Sequence, residues 1–122
     1  MDLKAFWQNI LSQNREQLLS YFSEDAVIRW YCTNEQFTVP EYLQANCEYP
    51  GDWTGKIERV ENFGNTVVMA GRVFPAEGSG SFHVVSFIRL QNDRIIEMDE
   101  YWADGGDAPA WRREMKIGKP IY

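Results

Sequence analysis

The sequence predicts an α+β fold in which helices from the N-terminal half cover one face of a curved antiparallel sheet built mainly by the C-terminal half. Three observations carry this. Leu3, Phe6, Trp7, Ile10 and Leu11 recur at the spacing of one helix face. Thr38-Val39-Pro40-Glu41 has the residue types of a capping box, the reciprocal hydrogen-bonding pair that opens a helix. From Thr54 onward every element reads as strand, separated by short turn signals.

The first helix follows Asp2. Leu18, Leu19, Tyr21 and Phe22 continue its pattern after the polar break Ser12-Gln13-Asn14, giving one kinked helix or two in series. Ser23-Glu24-Asp25 ends that segment, and Ala26 to Cys32 (AVIRWYC) has the β-branched and aromatic make-up of a strand. The helix opened by Thr38 and Glu41, with Phe37 positioned to staple onto Tyr42, runs to Cys47 or Glu48 before Pro50-Gly51. Strands are expected at Thr54–Phe63, Thr66–Pro75, Ser81–Gln91 and Arg94–Trp102. The breaks at Gly64-Asn65, Ala76–Gly80 and Asn92-Asp93 suit hairpin turns, so these four strands form an antiparallel meander. Gly105-Gly106 breaks the last strand, and Trp111 in the following loop must pack somewhere, at a pocket mouth or across a dimer.

At 122 residues the expectation is one domain, 1–122. With 44% hydrophobic and 15% aromatic residues the chain is globular, not disordered. A net charge of -6 without a Lys/Arg run argues against nucleic acid as a partner. One His with Cys32 and Cys47 gives no metal-ligand spacing, so neither metal nor cofactor is expected. The N-terminus is amphipathic without a signal-peptide pattern, and no 18-residue apolar stretch occurs; the expectation is a cytoplasmic protein with reduced thiols and no membrane partner.

Alternation along Ser81–Leu90 puts Phe82, Val84, Ser86, Ile88 and Leu90 on one face and His83, Val85, Phe87 and Arg89 on the other. Both faces are largely apolar. Helices cover one, and a second copy of the chain is the simplest cover for the other, so a homodimer is expected with His83, Val85 and Phe87 near its centre. In the last strand Ile96, Met98, Glu100 and Trp102 form the greasier set, placing Glu100 on the helix-covered face.

The element order, the stretch SYFSEDAVIRWY at Ser20–Tyr31 and RIIEMDEYWAD at Arg94–Asp104 resemble the nuclear transport factor 2-like superfamily, and within it SnoaL-like and ketosteroid-isomerase-like proteins. The resemblance covers nearly the whole chain and implies a cystatin-like α+β roll. This is a cone whose open end, between the sheet and about three helices, admits a small, mostly apolar ligand. Its catalytic residues do not carry over to this sequence. The proton-shuttling Asp of ketosteroid isomerases falls on Trp30 and their ketone-polarising Tyr on Phe6. The last-strand Asp of limonene epoxide hydrolases matches Glu100, but their third-strand Arg and Asp fall within Val67–Gly71, which has neither. The paired histidines of scytalone dehydratase need two, and this chain has one.

Two readings follow. In the first, Trp30, Tyr42, Trp53, Arg72, Phe74, Met98 and Trp102 ring a cavity that binds a small hydrophobic metabolite. Glu100, its pKa raised by burial, then moves a proton in an isomerisation, cyclisation or hydration. In the second, the protein is a non-catalytic ligand-binding or dimerisation module in which Glu100 pairs with Arg72. An unpaired Glu100 facing an empty cavity favours the first, and a Glu100–Arg72 ion pair in a filled core the second.

Overall fold

The computed structural model describes all 122 residues. Two short N-terminal helices, α1 (Leu3–Leu11) and α2 (Arg15–Leu19), precede strand β1 (Phe22–Trp30). A 3-10 turn (Tyr31–Thr33) leads to the three-residue strand β2 (Glu35–Phe37) and helix α3 (Val39–Cys47). Strands β3 (Trp53–Phe63), β4 (Thr66–Pro75), β5 (Phe82–Gln91) and β6 (Arg94–Asp104) follow, and then helix α4 (Ala110–Glu114).

Capping explains where the helices begin. Asp2 accepts from the Ala5 amide at 3.0 Å, and Asn14 accepts from Gln17 at 3.2 Å. At α3 the Thr38 hydroxyl accepts from the Glu41 amide at 3.4 Å, while the Glu41 carboxylate accepts from the Thr38 amide at 2.9 Å. Ser12-Gln13-Asn14 divides two helices, because Gln13 adopts φ 56° and turns the chain left-handed. Phe22 opens β1 and does not extend α2, so this strand starts earlier than its composition suggests.

The six strands form one sheet in the order β2-β1-β6-β5-β4-β3. β3 to β6 are the antiparallel meander, and the β5–β6 turn carries Asn92 and Asp93 at φ 51° and 62°, the left-handed pair that a two-residue hairpin requires. β1 pairs with β6 in parallel, so the sheet is mixed; the helices and the connections between β1 and β6 make that crossover. The fold is thus an α+β cone, with α1, α2 and α3 on the concave face.

Met69, Gly71 and Val73 of β4 turn inward, as do Val84, Ser86 and Ile88 of β5. In β6 a bulge between the Arg89 and Leu90 pairings shifts the phase: Ile95, not Ile96, is buried, and beyond it Met98 and Glu100 turn inward. Trp7 of α1 lies against Gly55 and Gly71, the two strand positions at which its ring meets bare backbone. No helix of the structure is long and apolar enough to cross a membrane.

Candidate functional site

Between α1, α3 and the sheet lies a cavity of about 280 Å³, lined by fifteen residues of which eleven are hydrophobic. Ile10 and Leu11 come from the end of α1, Ala45 and Asn46 from α3, and Trp30, Trp53, Val73, Phe82 and Trp102 from the sheet. Cys32, Thr33, Tyr49, Ala103 and Asp104 complete the wall. Gln13 lines it too, and its side-chain amide donates to the carbonyls of Asn46 at 3.0 Å and Tyr49 at 2.7 Å, tying the α1–α2 turn to the end of α3.

Glu100 is 3% exposed and lies behind two of the wall residues. The indole N–H groups of Trp30 and Trp102 both donate to its Oε1, at 3.0 and 3.3 Å, and the Ser86 hydroxyl donates to Oε2. Ser86 stands directly across the hairpin from Glu100, and Trp30 directly across the parallel pairing with β1. No cation is paired with this carboxyl. Burial therefore raises its pKa above the ordinary carboxylate value, opposed by the hydrogen bonds from Ser86, Trp102 and Trp30. The same burial, with Glu100 nearby, pushes the Tyr42 phenol well above its usual value.

A pH dependence follows. The Glu100 carboxyl holds its proton more tightly in the folded than in the unfolded chain. The stability it contributes is complete below the ordinary carboxylate range and is lost as pH rises through the raised folded value. Glu100→Gln keeps the shape and cannot ionise, so the melting temperature of the variant should gain on that of the wild type across this window and then run parallel. Identical pH profiles would show that the carboxyl titrates normally.

Of the residues expected to ring the cavity, Trp30, Trp53 and Trp102 line it. Tyr42 and Met98 are instead fully packed core, at 1% and 0% exposure. Arg72 and Phe74 lie on the opposite, outer face, because Met69, Gly71 and Val73 take the inward positions of β4. The Glu100–Arg72 pair of the second reading is therefore absent. Arg72 Nε lies 3.4 Å from Glu58 Oε2, without the geometry of a hydrogen bond, and its guanidinium packs under the Tyr122 ring at 3.4 Å and near Phe74 at 4.8 Å. His83, Val85 and Phe87 are on this outer face, with His83 paired in register to Arg72. Trp111 is exposed and lines no part of the cavity, although Ala103 and Asp104 of the neighbouring segment do.

Tyr49, Phe82, Asp104 and Ser86 carry no motif that marks them as site residues. Ser86 was legible as the one polar residue in an apolar inward set, and its partner follows only once the β5–β6 register is known.

An α+β cone with its cavity at the open end is the architecture of nuclear transport factor 2-like proteins. The SnoaL-like domain family matches residues 3–98, and the chain belongs to that family. The match stops short of Glu100 and Trp102. Among solved structures, a candidate ketosteroid isomerase from Kribbella flavida superposes with a TM-score of 0.80 at 19% identity, covering 98% of this chain and 87% of the other. A nuclear transport factor 2-like protein of unknown function from Burkholderia xenovorans gives 0.77 at 18% identity, covering 97% and 91%. A ketosteroid isomerase-like fold from Catenulispora acidiphila, in complex with trimethylamine, gives 0.69 at 11% identity, covering 81% and 82%. No curated protein matches the sequence.

Proposed function

We propose that this SnoaL-like protein binds a small, predominantly apolar molecule in the cavity between α1, α3 and the sheet. The single observation behind this is the 280 Å³ space itself, walled mostly by apolar side chains and held open by a hydrogen-bonded framework. Binding leads over turnover because Glu100 stands behind Trp30 and Trp102 and both its oxygens already accept hydrogen bonds. The test is a thermal-shift screen with small hydrophobic ketones, lactones, aromatic acids and amines. A ligand at a hundred times its Kd stabilises the fold by about 2.7 kcal/mol. The shift should disappear in Trp53→Ala; a screen without any shift would sink the proposal.

A second reading, acid–base turnover at Glu100 in an isomerisation, cyclisation or hydration, is favoured by one feature: a buried carboxyl with a raised pKa and no cation beside it. On that reading a ligand from the screen is turned over by the wild type, and Glu100→Gln binds it but loses at least a hundredfold in kcat. Equal absence of turnover in both proteins leaves the binder.

The outer sheet face belongs to the same proposal, as the contact surface of a homodimer. Tyr31 stacks on Tyr101 at 5.0 Å, and Tyr101 meets Phe87 edge-on at 6.1 Å, so an exposed aromatic ridge runs across β6 and β5 beside Val85. His83 lies on this face as well, near the Tyr122 ring. Sedimentation should give a dimer that Phe87→Glu converts to a folded monomer. A wild-type monomer at high micromolar concentration would remove the homodimer from the proposal.

A further inference from the structure

We infer that the cavity selects a cationic ligand, an alkylated or aromatic ammonium with an apolar body, over neutral and anionic molecules of the same shape. This rests on the binding reading above and adds to it the charge of the ligand. The argument is an inventory of what the wall can offer. Three indoles line the cavity, and each has its N–H occupied within the protein: Trp30 and Trp102 by Glu100, and Trp53 by the Pro50 carbonyl at 3.2 Å. What they present is ring carbon and π surface.

Most of the polar neutral side chains are occupied in the same way, which leaves the Tyr49 hydroxyl and the Cys32 thiol as the spare side-chain donors. Both side-chain N–H groups of Gln13 go to backbone carbonyls, the Asn46 amide donates to the Ile10 carbonyl at 3.3 Å, and the Thr33 hydroxyl donates to Glu35 at 2.6 Å. No Lys, Arg or His lines the cavity, and its single charged residue is Asp104. A ketone oxygen or a carboxylate entering this space would lose its water and meet no spare side-chain donor but the Tyr49 hydroxyl and the weak Cys32 thiol, which is costly for a polar group and more so for an anion.

A cation meets the opposite situation. Tyr49 and Trp53 are inclined at 66° with centroids 5.5 Å apart, and Trp53 and Phe82 at 55° with centroids 5.7 Å apart. Rings that meet at such angles form a corner, so a group seated against it touches more than one aromatic ring, and the negative face of an aromatic ring attracts an ammonium. Asp104 adds a carboxylate at the same wall, and the chain's net charge of -6 raises the local concentration of cations.

The experiment titrates the intact protein calorimetrically with three probes of nearly one shape: benzyltrimethylammonium, its uncharged carbon isostere neopentylbenzene, and benzylsulfonate. The cation should bind about tenfold or more tightly than the isostere, as expected for ring contacts inside a partly desolvated site. Asp104→Asn, at an exposed position whose substitution spares the core, should weaken the cation several-fold more than it weakens the isostere. Trp53→Leu removes the π face while keeping the wall apolar, and should weaken the cation several-fold more than it weakens the isostere. Equal binding of cation and isostere, or tightest binding of the sulfonate, would overturn the charge inference and leave the binding reading standing. No binding of either charged probe at about 10 mM, and none of the isostere up to its solubility limit, would overturn both.

Discussion

Glu100→Ala should lower stability by about 3 kcal/mol, since three donors lose one acceptor and each buried donor left without a partner costs about 1–3 kcal/mol. The donors are the Trp30 and Trp102 indoles and the Ser86 hydroxyl, and Ser86 is fully buried. For a chain of this length that loss corresponds to roughly a 10 °C fall in melting temperature. Glu100→Gln keeps an acceptor for the indoles and a donor for Ser86 and should stay within about 1 kcal/mol of the wild type. The cost of the alanine should be largest at acidic pH, where the wild-type carboxyl is protonated and its burial carries no charge penalty. Because the same carboxyl holds two cavity walls, Glu100→Ala should also weaken any cavity ligand, through mispositioned indoles. A Glu100→Ala protein as stable as the wild type would mean that Trp30 and Trp102 are held by packing alone.

That carboxyl also shows what the sequence does and does not disclose. Glu100 was legible as inward-facing because Met98 and Trp102 flank it at period two, and Met98 is indeed fully buried beside it. Arg72 was misread by the same logic. Val68, Ala70, Arg72 and Phe74 form one alternating set and Val67, Met69, Gly71 and Val73 another, both apolar, so alternation alone cannot say which faces the helices. The deciding contact is Trp7 against Gly71, a pairing 64 positions apart that no local pattern records. The bulge at Ile96 is equally silent: it moves Ile95 into the core in place of Ile96 through a register shift. Capping was the reverse case, since Asp2, Asn14 and Thr38 act on residues three positions away and their effect is written locally. The cavity sits between these extremes. Its tryptophans stand out by composition, but Tyr49, Phe82 and Asp104 reach it only through the long-range closure of the cone.

The glycine platform yields the second large effect, and one that two neighbouring substitutions can resolve. A Cβ on Gly55 would lie 2.5 Å from the Arg72 carbonyl oxygen, a backbone atom fixed by the β3–β4 ladder, and 3.1 Å from the Trp7 ring. A Cβ on Gly71 would lie 2.8 Å from the Trp7 ring, with the nearest backbone atom 3.3 Å away. Overpacking of this kind costs about 1–3 kcal/mol, and Gly55→Ala should fall at or above the upper end because a sheet carbonyl yields less readily than a side chain. Gly71→Ala should cost about 1–2 kcal/mol, and its cost should shrink when Trp7→Phe removes the offending ring. The same Phe should do little for Gly55→Ala, whose worst contact is with backbone. Trp7→Phe also removes a buried indole N–H that has no partner, so part of its lost packing is offset. A double-mutant cycle by urea unfolding separates the cases: strong coupling is expected between positions 7 and 71 and weak coupling between 7 and 55. Equal coupling at both would show that β3 and β4 shift together under load. Since α1 brings Trp7 to the platform and Ile10 and Leu11 to the cavity, displacement of that ring should reach the ligand site through one rigid turn of helix.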